Sequence, residues 1–437
     1  MTGRTEGTGE RETEPLPVVL AGARGHGRSH LVNIRRLQEA GLVRLAGVCE
    51  LSPLSPAELA GFGEPEQSTD LGGLLERTGA RIAVICTPIH THTELALTAA
   101  ERGVHTLLEK PTTPSYAEYE RLLAGLAEHG TACQVGFQSL GSHAVEAIRE
   151  LVASGAIGAL RGIGAAGAWA RDEAYYARAP WAGRRTLDGR DVVDGVLTNP
   201  LAHALATALR IDGSDLTGDV GRIVLEQFRA NDIEADDTTC LKLTTRRGTP
   251  VTVAVTLCAE RAGEPYVVVH GERGRITFWY KQDRVVVRRT GRAPEQEPDR
   301  AQEEGPAPGR DRERDRDRDR DRDQERGQDR GPGQEQEVVH GRTDLLENLV
   351  GHLRAGEPLL VPPERTGAFM RVVEAVRTAP VPTRLPADAW YAEPGERAPR
   401  RVVKGVNALV EASARTLATF SELGADWAVP PGETRRR

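Results

Sequence analysis

Leu107-Leu108-Glu109-Lys110-Pro111 is the stretch on which the fold turns. Ahead of it runs Arg81-Ile82-Ala83-Val84-Ile85-Cys86-Thr87-Pro88, short, apolar and β-branched, which reads as a buried parallel strand. Thr91 to Arg102 carries the apolar spacing of a helix and stops at Gly103. A second strand, Val104 to Leu108, then delivers Glu109-Lys110-Pro111 to the carboxyl edge of a doubly wound sheet, where such sheets bind ligands. Pro111 biases Lys110 toward extended geometry, so a lysine is held at the strand mouth, ready to meet a hydroxyl or a cofactor.

Toward the N-terminus, Pro17 to Ala21 is a strand, Gly22-Ala23-Arg24-Gly25-His26-Gly27 a turn, and Arg28 to Ala40 a helix. A glycine turn between strand and helix is the setting in which a dinucleotide fingerprint gains meaning. Gly22 permits the tight turn, Gly27 lets the helix pack on the strand, and N–H groups of Gly25 and His26 at the helix start can face a pyrophosphate. Arg24 stands where the middle glycine belongs and could itself meet a phosphate; glycine turns without a ligand are also common. The next strand, Val43 to Cys49, ends in Glu50, 23 residues beyond Gly27. A carboxylate there accepts from both adenosine ribose hydroxyls and repels a 2′-phosphate, which favours NAD over NADP; the bland alternative is a solvated strand-end glutamate. A short helix follows over Leu71 to Thr78. His90 and His92 would point apart on an extended loop, and no third ligand has suitable spacing, so no metal is expected. The helix Tyr116 to Glu128 and the strand Ala132 to Phe137 complete a first domain, residues 16–138.

The pattern then changes. After the helix Ala144 to Ser154, the runs Ala159–Trp169, Arg222–Arg229, Thr238–Thr245, Val251–Ala259, Tyr266–His270, Arg275–Tyr280 and Arg284–Arg288 are separated by short turns, which implies an antiparallel sheet. The long connection from Ala170 to Gly213 is of a length that usually serves function. Residues 291–337 are nearly free of apolar side chains and contain alternating Arg and Asp; such a segment cannot repay its ordering entropy and is expected to be a disordered insertion. Residues 1–15 read as a disordered tail. Helices are expected over Arg342–Ala355, Glu364–Thr378 and Val402–Glu422, within a second domain of residues 139–290 and 338–437.

Composition narrows the class of protein. A net charge of -7, with no basic face, argues against nucleic acid. Five cysteines without CxxC spacing read as reduced thiols, no apolar run reaches membrane-spanning length, and no leader-like apolar core is seen near the start. These features set the expectation of a cytoplasmic protein.

With Gly22 to Gly27, Glu50, Thr87-Pro88, His92 and Glu109-Lys110-Pro111 in place, the chain resembles the glucose–fructose oxidoreductase/inositol dehydrogenase (Gfo/Idh/MocA) family. The resemblance implies an α/β Rossmann dinucleotide-binding domain plus an α+β domain with an open, mostly antiparallel sheet, whose face often mediates homo-oligomers. It implies a nicotinamide cofactor, NAD or NADP, bound by Gly22, Arg24, Gly25, His26, Gly27, Glu50, Thr87, Pro88, His92, Glu109 and Lys110. It implies hydride transfer to or from a secondary alcohol of a sugar, cyclitol or related polyol, with Lys110 at substrate and nicotinamide ribose. A second family motif places Asp four residues before His; Asn199-Pro200-Leu201-Ala202-His203 matches it at His203 and departs from it at Asn199.

The chemistry also follows from residue types. A histidine of near-neutral pKa can take a hydroxyl proton, and a lysine cation can stabilise the developing alkoxide. Pro200 suggests that a helix begins at residue 199 with Asn199 as its N-cap, able to orient a hydroxyl but not to relay a proton. The base is then His203 alone, or Asp191 or Asp194 nearby. Arg171, Tyr175 and Trp181, with Trp169, Tyr176, Arg178 and Arg184, form an aromatic and basic patch suited to sugar faces and to hydroxyl or carboxylate oxygens; a loop anchored by its tryptophans is the structural alternative. Two further activities stay open on this sequence: a NAD-dependent glycosidase, and a nucleotide-sensing regulator without catalysis.

Overall fold

The computed structural model describes residues 14–290 and 335–428. The expected tail and charged insertion therefore lie mostly outside the described residues. Six strands form the first sheet: β1 (Leu16–Ala21), β2 (Val43–Cys49), β3 (Glu66–Ser68), β4 (Ile82–Ile85), β5 (His105–Leu108) and β6 (Cys133–Val135), in the order β3-β2-β1-β4-β5-β6. All five pairings are parallel. Val18, Val19, Leu20 and all of β4 are buried, as strands covered on both faces must be. The covering helices are α1 (Gly27–Glu39), α2 (Leu71–Thr78), α3 (His92–Ala100) and α4 (Tyr116–His129). α1 turns Leu31, Ile34 and Leu37 inward. Strand order reverses between β1 and β4, which opens a crevice at their carboxyl ends.

After α5 (Ala144–Ala153), β7 (Leu160–Ala168) enters a second sheet. The connection from β7 holds α6 (Glu173–Tyr176), a hairpin of β8 (Thr186–Leu187) and β9 (Arg190–Asp191), and α7 (Ala202–Asp212). The sheet continues with β10 (Val220–Arg229), β11 (Thr238–Thr245), β12 (Pro250–Thr256), β13 (Tyr266–Gly271), β14 (Gly274–Trp279), β15 (Arg284–Arg289) and β16 (Glu335–Val339). Then come α8 (Leu345–Ala355), α9 (Gly367–Thr378), β17 (Thr383–Arg384), β18 (Trp390–Glu393), β19 (Arg400–Val403) and α10 (Val406–Thr416). The nine-stranded order is β16-β15-β14-β13-β7-β12-β11-β10-β17, antiparallel except where β7 meets β12 and β10 meets β17.

α7 packs on one face of this sheet and α10 on the other. Gly164 in β7 is what admits α10: a Cβ there would lie 1.9 Å from the Ala414 carbonyl oxygen. One face of the sheet is thus covered, over its centre, by this chain's own C-terminal segment, with Ala166, Cys240, Val268, Val410, Ala414 and Phe420 in the core between. α8 returns to the first sheet, where Gln134 Nε2 donates to Asn348 Oδ1 at 2.6 Å and Asn33 Nδ2 to Asp344 at 3.0 Å.

Three expectations are corrected. Glu335 to Glu337, assigned to the insertion, belong to β16, where Glu335 pairs with Arg288 and Glu337 with Arg284 across the ladder. The helix expected over Val402–Glu422 is only Val406–Thr416. Val402 and Val403 are buried in β19, and Gly405 and Leu417 bound the helix at positive φ. An apolar run spanning strand, turn and helix had the look of one helical period. The helix expected from Arg342 starts at Leu345, because Asp344 accepts from the Leu346 and Glu347 N–H groups as its N-cap. All five cysteines are unpaired, three of them buried.

Candidate active site

A cleft of about 1170 Å³ lies between the two sheets, lined by both. At one end is the glycine turn. Gly22 has φ +82°, and a Cβ would come 2.6 Å from the Cys86 carbonyl oxygen, so the chain passes β4 only without a side chain. Gly22, Gly25, His26 and Glu50 line the cleft; Gly27 starts α1 behind it. Glu50 accepts from Ala23 N and Leu51 N, both at 3.0 Å, which ties the end of β2 to the turn. Arg24 also lines the cleft, but its guanidinium is held by Glu58 at 3.3 Å and by the Ser52 and Pro53 carbonyls rather than directed at the turn.

Thr87 and Pro88 follow β4 along the cleft floor. His92 sits below them, buried, with Nε2 2.9 Å from the Thr87 carbonyl oxygen and Nδ1 3.0 Å from that of Pro111. Burial lowers its pKa. Both ring nitrogens face backbone carbonyls, one of them as the N–H donor, so His92 clips the two strand mouths together instead of offering a polar atom to a ligand. Glu109 is also buried, at 4% exposure. It takes hydrogen bonds from His30 and Gln138 at 2.9 Å and from its neighbour's N–H, with His26 at 3.6 Å. Burial alone would raise its pKa, but the bonds from His26 and His30 outweigh burial and hold it well below the usual carboxylate range. The same bond raises His26. The ligand atoms of His26, His30 and Glu109 lie within 4.8 Å of one another, the one such trio among the described residues. Its hydrogen bonds pair one carboxylate with two imidazoles, and His26 stands at the turn.

Lys110 reaches across from the first sheet. Its Nζ donates to the Asn199 side-chain oxygen at 2.7 Å and to the Asn199 carbonyl at 2.9 Å, and burial lowers its pKa. The Lys110–Pro111 peptide is cis. Asn199 is not the expected N-cap. α7 begins at Ala202 with Leu201 at the cap position, so Asn199 lies in the preceding turn and its amide is free to bridge. Asn199 Nδ2 donates to Asp194 Oδ1 at 2.6 Å; Asp194 Oδ2 accepts from Gly183 N at 2.7 Å and faces Arg178 at 3.5 Å. Val193 holds φ +45°, a left-handed conformation costly for a β-branched residue, and so turns Asp194 inward. Asp191 instead pairs with Arg377 at 3.3 Å, away from the cleft.

His203, in the first turn of α7, lines the same cleft. Its near-neutral pKa is not what the structure gives: burial, with the Lys110 cation adding, pushes it down to about 3. Its Nδ1 is 3.1 Å from Ser139 Oγ, which accepts from the Thr207 hydroxyl at 2.9 Å. Phe137 stands edge-on to the ring. Arg171, Tyr175 and Trp181 also line the cleft. Sequence reasoning did not find Ser139, Gln138, Tyr280 or the link from Asp194 to Lys110, because residue type alone does not reveal which polar side chains share a cavity.

Residues 16–137 match the family described as "Oxidoreductase family, NAD-binding Rossmann fold", and residues 145–277 match "GFO/IDH/MocA C-terminal domain". Among curated relatives, 4-carboxy-2-hydroxymuconate-6-semialdehyde dehydrogenase of a Sphingobium species is 29% identical over 28% of this chain and 38% of its own length. The scyllo-inositol 2-dehydrogenase (NAD(+)) of Bacillus subtilis is 33% identical over 22% of this chain and 28% of its own. The aligned stretch thus spans less than half of either relative. An oxidoreductase domain protein from Kribbella flavida shares the fold, with a TM-score of 0.63 and 20% identity over 84% of this chain and 96% of that one. With both family domains matched in order, on either side of a cleft that holds Lys110 and His203, the chain belongs to the Gfo/Idh/MocA family.

Proposed function

We propose that the chain is an NAD(P)-dependent oxidoreductase that moves a hydride between nicotinamide and a secondary alcohol of a sugar, cyclitol or related polyol. The observation that carries this reading is that Lys110, from the first sheet, bonds Asn199, from the second, in one cleft with His203 and the glycine turn. The residues present suit a dinucleotide. Gly22 leaves the turn without a Cβ, α1 points its N-terminus at the cleft, and Glu50 stands beside the turn for the ribose. Glu109 serves indirectly, holding His26 and His30. The bound nicotinamide supplies or accepts the hydride.

The protein's part is to manage the proton and the oxygen it leaves. An ammonium has three donors; Lys110 directs two at Asn199 and keeps one for a substrate oxygen. Burial lowers its pKa, which suits Lys110 to take the hydroxyl proton during oxidation and to return it during reduction. Asp194 supplies, through the Asn199 amide, the negative charge that the family motif places at residue 199. With the Ser139 hydroxyl, which accepts from Thr207, donating to His203 Nδ1, the ring presents Nε2–H. His203 is thereby a hydrogen-bond donor to the reacting oxygen, and its strongly lowered pKa speaks against it as the proton's resting place.

Lys110→Met tests the reading. With a responsive polyol, turnover should fall by roughly a thousandfold or more while NADH affinity stays within about threefold, as expected when a proton acceptor and an oxyanion partner go together. Retained turnover would refute it. Net cofactor reduction during turnover separates this activity from the glycosidase, which shows none. The reason to suspect a non-catalytic regulator was the missing acid at residue 199, and Asp194 weakens it.

A further inference from the structure

The connection between β7 and α7, joined by Lys281 from the turn after β14, builds a ladder along the cleft in which cations and rings alternate. Lys281 stands 5.4 Å from the Trp169 ring centre and Arg171 5.0 Å from the same ring. Arg171 is 5.3 Å from Tyr175, Arg178 is 3.7 Å from Tyr175, and Arg178 is 4.6 Å from Trp181. All six side chains line the cleft. The two outer cations have acids: Lys281 meets Glu264 at 3.3 Å and Arg178 meets Asp194 at 3.5 Å. The middle one does not. Arg171 donates through Nη1 to the Ala170 carbonyl at 3.0 Å, and among the described residues no carboxylate pairs with it. A half-buried guanidinium that no carboxylate pairs, set between two further cations, is a favourable partner for an entering anion. Its planar fork suits two oxygens of one carboxylate or phosphate, while Trp169 and Tyr175 beside it offer flat faces to a sugar ring.

We infer that the substrate of this site is an anionic polyol, a sugar acid or sugar phosphate, whose charged group is taken by Arg171. This rests on the oxidoreductase reading for the identity of the cleft, but its test does not depend on turnover. Protein saturated with NADH, so that cofactor phosphates are already accounted for, is titrated calorimetrically with matched sets: hexoses (glucose, galactose, mannose), their uronates and their 6-phosphates. The expected result is that at least one anionic member binds roughly ten- to a hundredfold tighter than its neutral parent, with the advantage shrinking as salt rises. Arg171→Gln should abolish that advantage and Arg171→Lys should keep part of it, with NADH affinity unchanged in both. A carboxylate preference identifies sugar acids and a phosphate preference sugar phosphates. No anionic advantage in any set, or an advantage that survives Arg171→Gln in a folded variant, overturns the inference. Arg171-dependent anion binding without any hydride transfer would leave it standing and defeat the oxidoreductase reading.

Discussion

Replacing Glu50 with Gln should change which dinucleotide the turn accepts. The carboxylate sits half-exposed at the end of β2, bonded to Ala23 N and Leu51 N. A 2′-phosphate bearing about two negative charges at ~4 Å from it is repelled by about 2 kcal/mol at the dielectric of water, and by about 8 at an effective constant of 20. Partial exposure places Glu50 near the first figure, which corresponds to roughly 30-fold in affinity. Glutamine keeps the shape and one acceptor for Ala23 N, so the turn should persist while the charge goes. Hydrogen bonds to a ribose from a neutral amide are weaker than those from a carboxylate by about 1 to 1.5 kcal/mol, or roughly tenfold. Calorimetry at fixed ionic strength on the wild type should find NADH at least ~30-fold tighter than NADPH. Glu50→Gln should weaken NADH about tenfold and bring the two cofactors within a few-fold of each other. An unchanged cofactor ratio in that variant would refute the placement of the adenosine ribose at Glu50.

Other consequences follow from the same geometry. Asp194→Asn should cut kcat by roughly ten- to a hundredfold, because it removes the charge that raises the Lys110 pKa, and in the oxidation direction, where Lys110 must be deprotonated, the acidic limb of the pH profile should move to lower pH. Adding Asn199→Asp to that variant should restore much of the loss, whereas a purely structural role for Asp194 predicts no rescue. The His203 pKa is lower folded than unfolded, so the native state binds fewer protons and stability falls as pH drops from 6.5 toward 3. Between pH 8 and pH 5 this amounts to at most ~2 kcal/mol, and His203→Gln should lose that much less in urea titrations at the two pH values. Gly164→Ala should cost about 1–3 kcal/mol by pressing on the Ala414 carbonyl and should raise amide exchange in α10 before other helices.

Five strands of the first sheet were legible because each is an apolar run closed by a turn residue, and because Gly22, Glu50 and Glu109-Lys110-Pro111 recur at strand mouths; the edge strand β3, Glu66-Gln67-Ser68, is polar and gave no such signal. The second sheet was legible strand by strand up to Arg289. What failed lay where one physical signal served two elements. Val402, Val403, Val406 and Val410 are spaced like one helix, yet the first two are strand residues, cut off by Gly405 in a left-handed turn. β16 carries Glu335 and Glu337, whose charges resemble the low-complexity run before them and are matched only by arginines 47 and 53 residues away.

Lys110, Asn199 and His203, singled out from their motifs, share one cleft, but their states were not legible. Whether His203 is near neutrality or far below depends on burial against Phe137 and Tyr280, and whether Asn199 lacks an acid depends on Asp194. Val193, whose left-handed backbone aims that acid, has no sequence signature, since valine is among the residues least suited to such a conformation.

A crystal structure with NADH bound is the most direct measurement. The adenosine ribose is expected at Glu50, the pyrophosphate over Gly25 and His26, and the nicotinamide in the cleft with its reactive carbon ~3–4 Å from the space that Lys110 Nζ and His203 Nε2 share. A nicotinamide lying outside that cleft, or a cofactor whose reactive carbon cannot approach both side chains through one small molecule, would contradict the account.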